Sequence, residues 1–240
     1  MATLSFYPRP AADFGATTAR VLSFSESGMY RYNQFAPRVF KRSLDIAASL
    51  LVILLLAPIA ALIALAIKLT SRGPVLFRQT RVGHQGKLFT MLKFRSMRAG
   101  STSSIHQEYI RKVIHGPQEG SAKLTKMKND PRITRLGRIL RRTSLDELPQ
   151  FLNVLMGDMS LVGPRPCIPY EFESYQKWHR NRVRAVPGLT GLWQVSDREN
   201  ISFDEMVKLD LNYVHRWSIW LDLKILLLTP VAVLSGNGAH

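Results

Sequence analysis

The sequence predicts an α+β monotopic membrane protein, in which a hydrophobic helix-break-helix segment enters and leaves the bilayer on the same side. Residues 46–67 carry no formal charge but contain a central proline, and basic residues flank them on both sides. Downstream, short β-prone runs precede helix-spaced apolar positions. The chain therefore divides into a flexible extension over 1–37, a re-entrant membrane segment over 38–72 and a small cytoplasmic domain over 73–240.

The amino-acid composition indicates what kind of molecule the protein binds. The chain has 240 residues, and 33 Lys+Arg against 17 Asp+Glu give a net charge of +16. Because 46% of residues are hydrophobic, a wholly disordered polycation is excluded. The excess charge indicates an anionic partner, which is a nucleic acid, a phosphorylated substrate or an anionic membrane surface. A single cysteine and six scattered histidines exclude an internal disulfide and a structural zinc site.

Two polar stretches lack a sustained hydrophobic period. Residues 1–36 are rich in Ala, Ser, Thr and Pro, which is typical of a flexible extension. Residues 99–121 are polar and bounded by small residues, so we expect a surface excursion with a short helix. The function of the chain is expected to lie outside the N-terminal extension.

The membrane segment over 46–67 is long enough to cross a bilayer core of about 30 Å as a helix. Pro58 removes a backbone donor, so we expect a bend that leaves limbs of about 12 and 9 residues. Basic flanks prefer the cytoplasm, and a straight span would send one of them to the wrong side. A re-entrant hairpin is favoured, and a single span remains the alternative. The flanking basic residues are Arg38, Lys41, Arg42, Lys68, Arg72, Arg78 and Arg81.

The elements that follow are predicted in order. Residues 75–94 mix short β-prone runs with Gly83 and Gly86, which predicts a hairpin. Residues 136–160 have helix-spaced apolar positions, with Gly157 as a C-terminal cap. Residues 219–234 form an apolar stretch interrupted by charges and accompanied by tryptophans. That stretch suits a helix in the membrane interface, and packing in the core is equally compatible with it.

Adjacent carboxylates, Asp146 and Glu147, follow a strongly basic stretch. Glu147 closes a Ser-x-x-Glu capping box with Ser144, so a purely structural role is open. Pro149 instead predicts a helix start after Leu148, with both acids facing its positive end and held ionised. An ionised Asp can act as a nucleophile, and a neighbouring carboxylate can hold Mg²⁺ beside phosphates. The spacing is too short for a glycosidase pair.

Three further cations are candidates for binding phosphate. Lys93 and Arg95 alternate with Phe94, which would direct both toward one anion from a strand, although a solvated edge is equally compatible. Arg165 lies in Gly-Pro-Arg-Pro, where the prolines restrict the backbone and hold the guanidinium in few directions. A second Pro-Gly turn covers residues 187–191 and decides nothing alone.

Three motifs downstream of the proline-broken segment resemble the bacterial sugar transferase family, the monotopic polyprenyl-phosphate phosphoglycosyl transferases. They are KFRSM at 93–97, NDPRITRLGRILRRTSLDELPQFLNVLMGDMSLVGPRP at 129–166 and PGLTGLWQV at 187–195. The resemblance covers about residues 38–234. It implies that residues 73–240 are a catalytic domain with interfacial amphipathic helices, on the cytoplasmic face of the bacterial inner membrane.

The resemblance also implies a reaction. A sugar 1-phosphate would pass from a UDP-sugar to undecaprenyl phosphate, giving undecaprenyl-diphospho-sugar and UMP and initiating exopolysaccharide or glycoconjugate synthesis. Asp146 would be the nucleophile and Glu147 would help to hold Mg²⁺. Basic positions that match the family would bind substrate phosphates. They are Lys93, Arg95, Arg141 and Arg165.

Two departures from the family pattern concern the sugar more than the reaction. Val186 stands where a basic residue often precedes the second turn, and Asp197 interrupts a usual Ser-Gly-Arg run. The partners implied are the UDP-sugar, undecaprenyl phosphate and membrane lipid. No nucleic acid is expected as a partner, and a homo-oligomer is possible. The rival hypothesis is a non-enzymatic membrane-anchored protein whose basic face binds anionic lipid or nucleic acid.

Overall fold

The computed structural model describes residues 35–98, 114, 132–196 and 201–234. Nearly all of the predicted extension over 1–37, most of the predicted excursion over 99–121, and Asp197 lie outside the described residues. The helices are α1 Phe35–Thr70, α2 Arg135–Arg142, α3 Gln150–Met156, α4 Pro169–Glu173, α5 Leu192–Val195, α6 Phe203–Arg216 and α7 Ile219–Leu234. The strands are β1 Leu76–Val82, β2 Leu88–Phe94, β3 Ser160–Val162 and β4 Gly188–Thr190. The mixture of helix and sheet agrees with the predicted fold class.

The predicted hairpin is confirmed. Strands β1 and β2 pair antiparallel, with Leu76 opposite Phe94 and Val82 opposite Leu88. A short 3-10 turn joins them, and it contains Gln85 and Gly86 at φ values of 55° and 79°. Backbone in the left-handed region favours glycine, so the glycine seen in the sequence belongs to the reversal of the chain.

A second, parallel sheet brings the two proline-glycine turns together. Strands β3 and β4 pair with Ser160 opposite Gly188 and Val162 opposite Thr190. A Cβ on Gly163 would lie 2.3 Å from the carbonyl oxygen of Val186. A Cβ on Gly188 would lie 2.0 Å from the backbone nitrogen of Gly163. Only glycine permits this approach, so the two turns form one rigid unit.

The membrane helix α1 runs through Pro58 without interruption. Its apolar part, Arg38–Thr70, is long enough to cross a membrane by length and composition. The sequence prediction of two helical limbs separated by a break is therefore not confirmed. A proline within a long apolar helix costs one backbone hydrogen bond, and this cost does not have to end the helix.

Both ends of α1 contact the same folded body. At the start, Arg42 donates to the carbonyl oxygen of Leu155 at 2.8 Å, and Asp45 accepts from the backbone N–H of Leu161 at 3.1 Å. Near the end, Ile63 and Ile67 are buried in a cluster that also holds Phe94 and Leu140. Between these contacts lies a run of exposed leucines, which includes Leu50, Leu51, Leu54, Leu55 and Leu62. The apolar middle of the helix is thus left for lipid.

A buried ion pair fixes the start of α1 to the main core. Lys41 donates to Asp222 of α7 at 2.6 Å and to the carbonyl oxygen of Val162 at 3.1 Å. Asp222 also accepts from the Tyr213 hydroxyl at 2.8 Å and from the Trp217 indole at 3.0 Å. The polar atoms of both aromatic side chains are thereby satisfied inside the core. One carboxylate joins α1, α6 and α7.

Helix α7 has one buried face and one exposed face. Asp222 and Ile225 are buried, whereas Trp220, Leu227 and Leu234 are 81%, 78% and 86% exposed. The two interpretations that the sequence left open each describe one face. The inner face belongs to the core, and the outer face offers an apolar strip of the kind that lies in a membrane interface.

We predict that Lys41→Met lowers the stability by about 3–5 kcal/mol, because it leaves the buried Asp222 carboxylate without its cation. Lys68→Met is the matched control, since Lys68 is exposed near the other end of the same helix. Thermal unfolding in detergent micelles measures both. Equal melting temperatures for the two variants would contradict the proposed importance of the ion pair.

Candidate active site

The acid pair lies in a 3-10 turn, Leu145–Glu147, between α2 and α3. The prediction that it directly precedes a helix is confirmed, and Gly157 caps α3 with φ 92° as expected. The predicted capping box is wrong. Ser144 adopts a left-handed conformation with φ 56° and its side chain caps nothing. The backbone N–H of Glu147 donates instead to the carbonyl oxygen of Ser144 at 3.1 Å.

Pro149 does not disturb the helical path as the sequence suggested. Leu148 has φ −50° and ψ −40°, and Pro149 has φ −62° and ψ −16°. The clash between a proline ring and the residue before it disfavours helical geometry without forbidding it. Here the hydrogen bond from Leu148 N–H to the Leu145 carbonyl oxygen holds the turn. The acids consequently lie in backbone that is close to helical into α3.

Asp146 is a buried carboxylate surrounded by cations. Only 6% of the residue is exposed. Burial raises the pKa of Asp146, and Lys93, Arg141 and Arg165 oppose that rise. The sequence predicted that the position before a helix would favour the ionised form. Loss of hydration and the like charge of Glu147 instead shift the pKa against that form, in spite of the nearby positive charges.

Glu147 joins two of the predicted phosphate-binding cations. Its Oε1 lies 2.6 Å from Nζ of Lys93 and 3.6 Å from Nη2 of Arg165. Burial lowers the pKa of Lys93, and Glu147 acts against that change. The structure therefore brings Lys93 of β2, the acid pair and the loop after β3 to one place.

Arg141 acts on Asp146 from α2, whereas Arg95 contacts the residue that follows α1. Arg141 donates from Nε to the Ser96 hydroxyl at 3.0 Å. Arg95 donates from Nη2 to the carbonyl and hydroxyl oxygens of Ser71, both at 2.9 Å. Strand β2 ends at Phe94, so the alternation that would point Lys93 and Arg95 at a common anion does not continue. Nε and Nη1 of Arg95 are buried without a hydrogen-bond partner in the described part of the chain.

Sequence reasoning did not identify Gln150 as a site residue. It lies four positions after Asp146 in nearly helical backbone, which places the two side chains on neighbouring parts of one face. Gln150 is 3% exposed, and its amide nitrogen has no hydrogen-bond partner among the described residues. The spacing was visible in the sequence, but the expected helix start at Pro149 separated the two residues.

The donor set suits a metal held mainly by water and substrate. Within residues 35–98, 132–196 and 201–234, no three His, Cys, Asp or Glu side chains are grouped as metal ligands. Mg²⁺ usually keeps several waters and takes one or two carboxylates together with substrate phosphates. Asp146 and Glu147 are two such carboxylates, so the site fits Mg²⁺ better than a metal enclosed by protein ligands.

Comparison with known proteins identifies the relatives of the chain. The family described as bacterial sugar transferase matches residues 36–236. Galactosyl transferase CpsE of Streptococcus agalactiae serotype III is 44% identical over 212 residues, which are 87% of this chain and 45% of that protein. UDP-glucose:undecaprenyl-phosphate glucose-1-phosphate transferase of Escherichia coli K12 is 42% identical over 200 residues, which are 80% of this chain and 39% of that protein.

A third relative has a similar length. The exopolysaccharide production protein ExoY of Rhizobium meliloti is 40% identical over 200 residues, which are 83% of this chain and 88% of that protein. The chain thus spans less than half of the first two relatives but most of the third. The acid pair and its cations all lie within the matched residues.

We predict that Asp146→Asn makes the protein more stable than the wild type near neutral pH. The folded protein raises the pKa of Asp146 above its ordinary value of 3.8, so the stability of the wild type declines as the pH rises through the folded-state pKa. Asparagine has no proton to lose and avoids that decline. Melting temperatures measured from about pH 4 to 7.5 should show a gap that narrows toward acid. A wild type that is the more stable protein at pH 7.5 would contradict the prediction.

Proposed function

The chain belongs to the bacterial sugar transferase family, and on that basis we propose that it transfers a sugar 1-phosphate from a UDP-sugar to undecaprenyl phosphate. The products are undecaprenyl-diphospho-sugar and UMP, and the reaction initiates exopolysaccharide or glycoconjugate synthesis. The observation that carries the proposal is a buried carboxylate, Asp146, surrounded by Lys93, Arg141 and Arg165. The E. coli relative has a name that states a UDP-sugar and undecaprenyl phosphate as substrates, which supports this choice.

Asp146 is the proposed nucleophile. One carboxylate oxygen attacks the phosphorus attached to the sugar, and the bond from that phosphorus to the bridging oxygen breaks, so UMP leaves with the electron pair. A phosphate oxygen of undecaprenyl phosphate then attacks the same phosphorus. The acyl phosphate bond breaks and Asp146 returns as a carboxylate. A carboxyl with a raised pKa is a stronger nucleophile once ionised, because its ionised form is poorly solvated.

The surrounding cations stabilise negative charge that the reaction moves. Lys93 and Arg165 already contact Glu147, so a substrate phosphate beside Asp146 would lie within reach of both. Arg141 acts on the same charge from α2. We assign Arg95 to phosphate binding as well, because two of its guanidinium nitrogens are buried without an acceptor in the described residues. Such donors gain most from an anionic acceptor.

We propose Mg²⁺ as the cofactor, which Glu147 would help to hold. When bound it neutralises charge on the transferred phosphate and on departing UMP. Glu147 also lies 2.6 Å from Lys93 in this structure, so the carboxylate that would hold the metal positions a cation next to the substrate phosphate.

We propose that α1 is re-entrant on the cytoplasmic face of the inner membrane. Its two ends contact one folded body, and a body on one side of a bilayer cannot hold both ends of a straight spanning helix. A bend at Pro58 would allow both contacts while burying the exposed leucines in lipid. This attachment brings a lipid-borne phosphate to a site that also receives a soluble nucleotide sugar. We assign membrane lipid as a partner and do not assign nucleic acid.

The test of the activity is a screen of UDP-sugars for UMP release in the presence of undecaprenyl phosphate, with and without Mg²⁺. We predict that Asp146→Asn abolishes release, because an amide cannot form the phosphosugar ester. Asp158→Asn, a half-buried substitution just beyond the other end of α3, is the control and should retain turnover.

Two results would contradict the proposed function. Turnover by pure Asp146→Asn protein would remove the nucleophile. Binding that weakens steeply with salt for any polyanion, without UMP release from any UDP-sugar, would favour the rival membrane-anchored polyanion binder instead.

We further predict that cysteines at Ser43 and Lys68, introduced separately in a Cys167→Ser background, are both shielded from a membrane-impermeant thiol reagent in intact cells. The two positions are exposed and lie on opposite sides of the apolar run in α1. A re-entrant helix keeps both on the cytoplasmic side, and labelling after permeabilisation is the control. External labelling of either cysteine would contradict the re-entrant topology.

A further inference from the structure

The loop that carries Arg165 is held along its backbone. Its six residues, 163–168, each use at least one backbone group in a hydrogen bond. Backbone groups elsewhere in the fold supply three of these bonds: Gly163 N–H to Thr190 O, Gly188 N–H to Pro164 O and Val82 N–H to Cys167 O, each at 2.9 Å. At the end of the loop, the backbone N–H of Ile168 donates to Glu171 at 3.4 Å.

The two remaining carbonyls accept from arginines, of which Arg182 is buried and Arg81 is half-buried. Arg182 donates from Nη2 to the carbonyl oxygen of Arg165 at 3.1 Å. Arg81 donates from Nη1 to the carbonyl oxygen of Pro166 at 2.9 Å. A loop carbonyl can be satisfied by water, so a buried guanidinium is an expensive choice for that task. Its presence fixes the direction of the peptide group that it binds.

A dedicated carboxylate compensates the charge of Arg182. Arg182 is 3% exposed and forms an ion pair with Asp210, which is 1% exposed. Its Nη1 also donates to the Tyr175 hydroxyl at 2.7 Å, and that hydroxyl donates to Glu171. Arg182 is therefore held by two side chains, Asp210 and Tyr175, in addition to the Arg165 carbonyl. Its Nη1 and Nη2 are occupied by Tyr175, Asp210 and the Arg165 carbonyl, so Arg182 acts on the site through other residues.

Arg165 differs from Arg182 in what its side chain does. Its side chain is 37% exposed, and Nη2 lies 3.6 Å from Oε1 of Glu147. Prolines on both sides restrict the backbone of Arg165, and the hydrogen bond from Arg182 fixes the direction of its carbonyl group. The guanidinium is thus aimed at the acid pair from a rigid base while staying open to a ligand.

We propose that Arg182, together with Asp210, is a positioning residue that holds the Arg165 guanidinium where the transferred phosphate must bind. The assignment deepens the proposed function and rests on it. Preorganised cations lower the barrier to phosphoryl transfer because no reorganisation is needed during the reaction. Arg182 contributes to the rate through Arg165 alone.

Arg182→Lys tests the proposal with little change in buried charge. Lysine retains a cation for Asp210, but its shorter side chain lacks the planar fork whose Nη1 reaches Tyr175 while Nη2 reaches the Arg165 carbonyl, so the direction of that carbonyl is no longer fixed. We expect kcat/KM for the UDP-sugar to fall about tenfold to a hundredfold, the size expected for a misplaced binding group. In an Arg165→Met background, Arg182→Lys should cause no further fall, because the two residues act as one unit.

Asp204→Asn is the matched control. Asp204 contacts His179 at 3.2 Å, and the His179 ring packs against Tyr175, so the control perturbs the same cluster without reaching the Arg165 loop. Any effect of this control should be equal in both backgrounds. An equal effect of Arg182→Lys in both backgrounds would overturn the proposal.

Hydrogen exchange provides a readout that does not need activity. Peptides covering residues 163–168 should exchange their amide hydrogens faster in Arg182→Lys than in the wild type. In Asp204→Asn their exchange rate should stay the same as in the wild type. An unchanged exchange rate in Arg182→Lys would overturn the proposal. If the wild type releases no UMP from any UDP-sugar, the proposed function fails and the exchange result alone decides the positioning role. If Arg182→Lys does not fold, Tyr175→Phe removes one support of Arg182 and takes its place in both measurements.

Discussion

The fold depends on one buried carboxylate. Asp222 accepts hydrogen bonds from a lysine of α1, a tyrosine of α6 and the indole of the tryptophan before α7. Lys41 and Tyr213 also share the carbonyl oxygen of Val162 at the end of β3. Desolvating a charge costs several kcal/mol, and these donors offset that cost. Helix α1 is therefore attached to the strand that leads into the Arg165 loop by an ion pair and hydrogen bonds as well as by apolar contacts.

The candidate site is built next to β3, where the backbones of β3 and β4 approach each other closely. Strands β3 and β4 place two glycines so near each other that no side chain would fit between them. The loop after β3 then faces the turn before α3, and Lys93 approaches from the hairpin. Three separate segments supply positive charge around a carboxylate that burial keeps poorly hydrated. The membership of the chain in the bacterial sugar transferase family agrees with this arrangement of acids and cations.

Some local patterns predicted local features correctly, whereas the capping box at Ser144 and the backbone effects of Pro58 and Pro149 were not found. The hairpin, the glycine cap at Gly157 and the acid pair ahead of α3 follow from turn chemistry and spacing within a few residues. The sequence failed where distant groups decide the outcome. The pKa of Asp146 depends on burial, which no neighbouring residue reveals. The direction of Arg95 depends on Ser71, which lies 24 positions away in the chain. The motif resemblance supplied what spacing alone left open, namely which cations belong with the acids.

The ion pair between Lys41 and Asp222 also sets the order of events during biosynthesis. The partners are 181 positions apart in the chain. At ribosomal rates of about 5–20 residues per second, Lys41 is synthesised roughly 10–40 s before Asp222. During that interval Lys41 and Asp45 of α1 have no folded core to contact, whereas the leucines of α1 can already partition into lipid. The apolar helix is therefore available to lipid first, and the rest of the fold can close onto it only when α7 has been made.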